Sequence, residues 1–204
     1  MDQKDLIKEI GHIRSMMEKS SKFLSISGLS GVLIGMFALI GAGLAYLKVY
    51  GMGKLAYRNH YVNDEGVLYY LVIVAVVVLL ASLATGILMA RRKANRAKQA
   101  IWNPASKSML FAMAVPLVTG GVVAIILIAK GYLALIASTL LVFYGLALVS
   151  GSIYTFKEVR WLGIMEISLG LLALLFPGYG LWLWVVGFGC LHIIYGFIVY
   201  KKYE

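Results

Sequence analysis

The sequence predicts an all-α, multi-pass membrane protein, and three observations lead to this fold class. Hydrophobic residues fill 61% of the 204 positions, and only 14% are charged. The apolar residues form six runs of membrane-spanning length, and most of the lysine and arginine lies between alternate runs. Counted with glycine in place of tyrosine, the apolar share is about 65%, against about 45–50% for a soluble domain counted in the same way. This composition excludes an ordinary soluble enzyme, a disordered chain and a nucleic-acid-binding domain, despite a net charge of +10.

Each of the six runs is close to the length that one transmembrane helix needs. A helix that rises about 1.5 Å per residue requires roughly 20 apolar residues to cross a bilayer core of about 30 Å. Short charged or turn-forming segments separate the runs, so the sequence predicts three consecutive helical hairpins in one domain over residues 23–204. The predicted spans are residues 23–47, 67–90, 109–129, 132–153, 161–177 and 181–200.

The distribution of basic residues predicts how these spans are oriented. Fifteen of the 19 lysine and arginine residues lie on one side of the predicted spans and four on the other. Because basic loops stay in the cytoplasm, we expect both termini to be cytoplasmic.

Two segments outside the spans carry patterns of their own. Residues 1–22 have apolar side chains at helical spacing and predict an amphipathic cytoplasmic helix, which lies on the inner leaflet or docks on a partner. Residues 51–66 form the longest outer loop and are either a solvated loop or an external sensor.

A basic run after the second span predicts contact with anionic lipid headgroups on the cytoplasmic side. Each basic residue near such a surface contributes about 1 kcal/mol of attraction. We expect the run to bind lipid rather than nucleic acid. Its members are Arg91, Arg92, Lys93, Arg96 and Lys98.

The first span contains a ladder of small residues, Ser27, Gly31 and Gly35, at intervals of four. Small side chains allow two helix backbones to approach closely in lipid. We therefore expect this face to pack against another helix, either within the chain or in a homo-oligomer.

Glu166 is the only formal charge well inside a predicted span, and His192 lies at the matching depth of the next span. The two residues are thirteen positions before and after the turn centre near residue 179, so a contact between them is predicted. Intramembrane ionisable residues are functional candidates because their insertion costs several kcal/mol. The pair either fixes helix register through a hydrogen bond or acts as a proton-responsive or proton-relay pair.

Glycines at helical spacing flank both members of this pair. Gly163 and Gly170 flank Glu166, and Gly189 and Gly196 flank His192. Gly163 and Gly196 are equally far in sequence from the turn centre, and so are Gly170 and Gly189. Each of these two pairs therefore lies at a matching depth, as Glu166 and His192 nearly do. The sequence therefore predicts that the two helices of the last hairpin pack closely through these glycines.

The hairpins show traces of an internal repeat. Gly35, Gly121 and Gly170 each precede a short apolar stretch and a turn, and Tyr144-Gly145 and Tyr195-Gly196 recur in the middle of two even spans. Residues 163–200 resemble the hairpin unit of the HdeD-like acid-resistance membrane proteins. The elements that carry the resemblance are Gly163, Gly170, Phe176, Pro177, Gly178, Gly187 and Gly196. This resemblance implies six spans and a non-enzymatic role in envelope stress.

No motif in the sequence predicts an enzyme, a metal site or a cofactor site, since phosphate loops, HExxH and nucleophile elbows are missing. The leading hypothesis is a non-enzymatic membrane protein acting in envelope or acid stress, or as an accessory partner of a membrane complex. One alternative is a small proton-linked transporter or channel that uses Glu166 and His192. Another is a membrane sensor that combines the outer loop 51–66 with the amino-terminal helix.

Overall fold

A computed structural model describes residues 26–50, 65–98 and 100–204, and all regular secondary structure in these ranges is helical. The predicted amphipathic helix over residues 1–22 lies outside the described residues, as does nearly all of the outer loop. Six helices lie at the positions of the six predicted spans. They are α1 (Gly28–Tyr50), α2 (Glu65–Arg96), α3 (Pro104–Ala129), α4 (Ile136–Gly151), α5 (Lys157–Leu175) and α6 (Gly180–Tyr203).

Short turns extend or join several of these helices. Single 3-10 turns lie at Leu133–Leu135, Ser152–Tyr154 and Pro177–Tyr179. Within α6, residues Val185–Leu191 form a π-helical turn between two α-helical parts. Such turns are rare and often lie at functional sites.

The outer surface of the bundle is apolar, as expected of a helical membrane protein. Large hydrophobic side chains such as Phe111, Leu175 and Val118 are 65–75% exposed. Five of the described helices combine spanning length with an apolar composition. The remaining helix, α5, is 19 residues or about 28 Å long but carries four charged residues, three of them in its first turn.

The third hairpin is central, and the other two hairpins pack on opposite sides of it. Helix α6 packs against α1, and α5 packs against α4, while α2 and α3 lie at the periphery against α1 and α4. Consecutive helices within each hairpin are also in contact. The polar residues of the third hairpin are therefore covered from both sides by other helices.

At one end of the bundle, polar contacts tie together the start of α1 and the ends of α2 and α6. Glu204 Oε1 accepts hydrogen bonds from the Gly28 amide at 2.9 Å and from Lys93 Nζ at 3.1 Å. Lys93 Nζ also donates to the Ile26 carbonyl at 2.9 Å. We call Gly28, Lys93 and Glu204 the end clasp.

The clasp corrects one predicted lipid contact. Arg91, Arg92, Arg96 and Lys98 are exposed and remain available to headgroups, but Lys93 is turned inward onto Glu204. The reason is that Lys93 lies on the side of α2 that faces α1. There the Ile26 carbonyl and the Glu204 carboxylate accept its hydrogen bonds in place of lipid headgroups.

We expect Glu204→Gln to destabilise the protein by about 1 kcal/mol or less at neutral pH, as for other partly exposed ion pairs. Burial alone would raise the pKa of Glu204, but hydrogen bonds from Gly28 and Lys93 lower it below its ordinary value of 4.5. Because the folded-state pKa is lowered, this stabilisation is present above about pH 4.5 and disappears as the pH falls through the folded-state pKa. Thermal unfolding of both proteins in lipid nanodiscs measures the difference, and a difference that stays constant into acid would contradict the assignment.

Candidate functional site: a buried polar junction of α4, α5 and α6

The structure places Glu166 of α5 and His192 of α6 in contact, as their matching depths predict. His192 Nδ1 lies 3.4 Å from Glu166 Oε1. Glu166 is 0% exposed and His192 only 3%. The pair is therefore enclosed by protein on all sides rather than facing lipid or water.

Tyr144 of α4 is a third member of the site, and its hydroxyl lies 2.8 Å from His192 Nε2. The sequence alone does not connect this residue with the pair. Its only signal was its position in the middle of a span, because aromatic residues with polar ends usually lie at the membrane interface. We call Tyr144, Glu166 and His192 the polar junction.

The hydrogen bonds of His192 define which of its nitrogens carries hydrogen. Nδ1 lies 3.0 Å from the carbonyl oxygen of Gly187, which is only an acceptor, so Nδ1 donates. In the neutral imidazole Nε2 then accepts the hydrogen bond from the Tyr144 hydroxyl. Both nitrogens of a neutral His192 are satisfied.

Neither carboxyl oxygen of Glu166 has a hydrogen-bond partner within the described part of the chain. Gly187 leaves the space that the carboxyl group occupies, since a Cβ at this position would lie 2.5 Å from Glu166 Oε2 and 2.7 Å from Leu141 Cδ2. The glycine belongs to the π-helical turn, which brings its carbonyl to His192 and its open side to Glu166. A larger residue would displace the acid.

Ring contacts continue from the junction along α6. His192 is stacked with Phe188 at 5.9 Å between ring centroids, and Phe188 lies 4.9 Å from the Tyr144 ring and 5.1 Å from Trp184. The Tyr144 and His192 rings are themselves 5.4 Å apart. These contacts fill the space beside the polar atoms with apolar surface.

The prediction that the glycines of the last hairpin face one another is wrong. A Cβ on Gly163 or Gly170 would meet α4, at the Gly145 carbonyl and Val142 respectively, whereas one on Gly189 or Gly196 would meet α1. Residue counting from a turn gives the depth of a residue but not its direction around the helix axis. The glycines mark where α5 approaches α4 and where α6 approaches α1.

The predicted small-residue ladder of α1 does pack closely, and it does so within the chain. A Cβ on Gly31 would lie 3.0 Å from the Gly196 Cα, and one on Gly35 would lie 2.7 Å from the Gly189 carbonyl oxygen. Ser27 is 5% exposed at the start of the same contact. The partner of this face is α6, so the face packs on another helix of the same chain, which is one of the two arrangements that the sequence leaves open.

The polar junction offers one carboxyl, one imidazole and one phenol group, which can hold and exchange a proton. Within residues 26–50, 65–98 and 100–204, no group of three or more His, Cys, Asp or Glu side chains could hold a metal ion. Cys190 is a free, exposed cysteine and is not one of the three residues of the polar junction.

The fold and the site together define a helical membrane protein with a buried acid–imidazole pair. Comparison of the chain with protein-family models, curated proteins and solved structures finds no match.

Proposed function

We propose that this chain is a non-enzymatic, multi-pass protein of the bacterial inner membrane that acts in envelope or acid stress, in the manner of the HdeD-like proteins, or as an accessory partner of a membrane complex. The observation that carries the proposal is the complete burial of Glu166 between three packed helices. A sealed pair suits a structural or regulatory role, because a solute pathway or an active site needs access from outside.

The proposed topology has six spans with both termini in the cytoplasm. The end clasp and the Lys202–Glu158 ion pair of 2.6 Å support it, since they bring the start of α1, the end of α2, the start of α5 and the end of α6 to the same end of the bundle. This end also carries most of the basic residues in the part of the chain that the structure describes, including the proposed anionic-lipid contacts Arg91, Arg92, Arg96 and Lys98.

A second candidate is a proton-linked transporter or channel that uses Glu166 and His192. The unpartnered oxygens of Glu166 favour proton chemistry at this position. Transport also requires a water-filled path to Glu166, and its 0% exposure removes the main support for such a path. The sensor alternative depends on residues 1–22 and 51–66 and stays a prediction.

The function is tested in two settings. Cells that lack the protein are expected to survive acid exposure less well than cells complemented with it, and gentle purification is expected to recover either a homo-oligomer or a stoichiometric membrane partner. A monodisperse monomer that carries a solute or protons across liposome membranes would contradict the proposal and favour the transporter.

Topology is tested with single cysteines in a Cys190→Ser background. A cysteine at residue 201, beyond the last predicted span, should react with a membrane-impermeant maleimide only after the cytoplasmic side is exposed. A cysteine at residue 131, between α3 and α4, should react in intact cells. The reverse pattern would overturn the proposed orientation, and reaction of both positions from the same side would overturn the span count.

A further inference from the structure

The hydrogen bonds of the polar junction require one proton on the Glu166–His192 pair when the helices are closed. Nδ1 donates to Gly187, and a neutral His192 accepts at Nε2 from the Tyr144 hydroxyl, so both ring nitrogens are satisfied without a second ring proton. Glu166 is 0% exposed and its oxygens accept no hydrogen bond within the described residues, so beside a neutral His192, whose Nδ1 lies 3.4 Å away, a carboxylate would be a buried and uncompensated charge. Such a charge costs several kcal/mol, whereas the neutral acid does not.

The groups around the pair do not supply a compensating charge. From α4 the facing titratable group is Tyr144, and Tyr195 lies nearby on α6 itself. Phenols lose their proton only near about pH 10 in water. The described part of α1 has its lysine at Lys48, near the end of that helix remote from the end clasp, and α3 has its lysine at Lys107 in its first turns. The proton count of the closed junction therefore belongs to Glu166 and His192.

An open junction, in which water reaches the pair, holds a different number of protons. In water, glutamate loses its proton at about pH 4.3 and histidine at about pH 6.5. Above about pH 6.5 the open pair therefore carries no proton, while the closed pair carries one. Between these two values both states carry one proton, and below about pH 4.3 the open pair carries two.

We infer that closure of the α4–α5–α6 junction takes up one proton near neutral pH, so that mild acid clamps these three helices together. The element that opens is the π-helical turn Val185–Leu191. This turn contains Gly187, which contacts both His192 and Glu166, and it joins the two α-helical parts of α6. The ligand of the site is a proton that is bound but not carried across the membrane. This inference concerns the purified protein and does not rest on the proposed role in stress.

The direction in which pH changes the opening equilibrium follows from the number of protons that each state binds. Where the closed state binds one more proton than the open state, the opening equilibrium rises tenfold for each unit of pH. The junction is therefore held most tightly between about pH 4.3 and about pH 6.5, and it loosens as the pH rises above that range. Strong acid below about pH 4.3 reverses the effect, because the open pair then takes up a second proton.

Hydrogen–deuterium exchange of the full chain in lipid nanodiscs measures this equilibrium. After correction for the intrinsic exchange rate, protection of the amides at residues 185–192 should fall about tenfold per pH unit above about pH 6.5. Glu166→Gln keeps the shape of the acid but carries no proton that titrates, so its protection should not change with pH above about pH 6.5, where an open His192 is also neutral. Glu158→Gln is the matched control, because Glu158 pairs with Lys202 at the end of the bundle and should leave the pH dependence unchanged.

Infrared spectroscopy of the wild-type protein gives a second readout that does not depend on a variant folding. A band of a neutral carboxylic acid should be present at neutral pH, where exposed acids are ionised. Absence of that band, or protection that is flat with pH in the wild-type protein, would overturn the inference. Retention of the pH dependence in Glu166→Gln would assign the proton to another group and would also overturn it.

Discussion

Replacing Gly196 by alanine is expected to destabilise the protein by about 1–3 kcal/mol, which is the usual cost of overpacking a close contact. The added Cβ would lie 2.5 Å from the Val32 amide nitrogen and 2.7 Å from the Gly28 carbonyl oxygen. Both atoms belong to the α1 backbone and cannot rotate away, so the two helices must separate. The measurement is the thermal or denaturant unfolding of the variant in nanodiscs.

Gly43→Ala is the matched control, because it adds the same methyl group to a helical glycine with nothing within 4 Å of the new Cβ. Alanine favours the helix by up to about 1 kcal/mol over glycine, so this variant should be as stable as the wild-type protein or more stable. Equal losses in the two variants would show that the added methyl group destabilises both positions alike and that the α1–α6 contact does not determine the effect.

Replacing His192 by leucine is expected to destabilise the junction by about 1–3 kcal/mol, because it leaves buried hydrogen-bonding groups without partners. The Tyr144 hydroxyl loses its acceptor, and the Gly187 carbonyl loses the donor at Nδ1. Adding Tyr144→Phe removes one of these unpaired groups. The double variant should therefore lose less stability than the sum of the two single variants.

This double-mutant cycle should give a coupling energy of about 0.6–1.7 kcal/mol, the range found for hydrogen bonds between membrane helices. Tyr179→Phe is the control, since Tyr179 is 63% exposed and lies in the turn before α6. Its effect should add to that of His192→Leu within a few tenths of a kcal/mol. Additive losses for Tyr144→Phe and His192→Leu would show that their hydrogen bond does not stabilise the fold.

The pairing of Glu166 with His192 was predictable because the two helices are joined by a short turn. Equal numbers of residues on either side of such a turn place two residues at equal depth, since the rise per residue is constant at about 1.5 Å. The same counting failed for the flanking glycines. Gly163 and Gly196 share a depth, but they point toward different neighbours, α4 and α1.

Tyr144 and Lys93 show the other limit of the sequence. Tyr144 reaches His192 across 48 positions, and Lys93 reaches Glu204 across 111. No turn of known length relates these residues, so their contacts depend on which hairpins pack together. The sequence predicts a lipid contact for Lys93 because it does not reveal that the Glu204 carboxylate lies beside it.

By itself, the sequence determined the positions of six helices, their approximate ends, the apolar outer surface and the matching depths of Glu166 and His192. These features depend on local composition and helix geometry, which are the same whatever the neighbouring helices are. The tertiary structure alone decided which helix covers each glycine, that Tyr144 completes the polar junction, and that Lys93 closes the end clasp. Those contacts arise from packing between hairpins that are distant in the chain, where close backbone approach and buried hydrogen bonds select the partner.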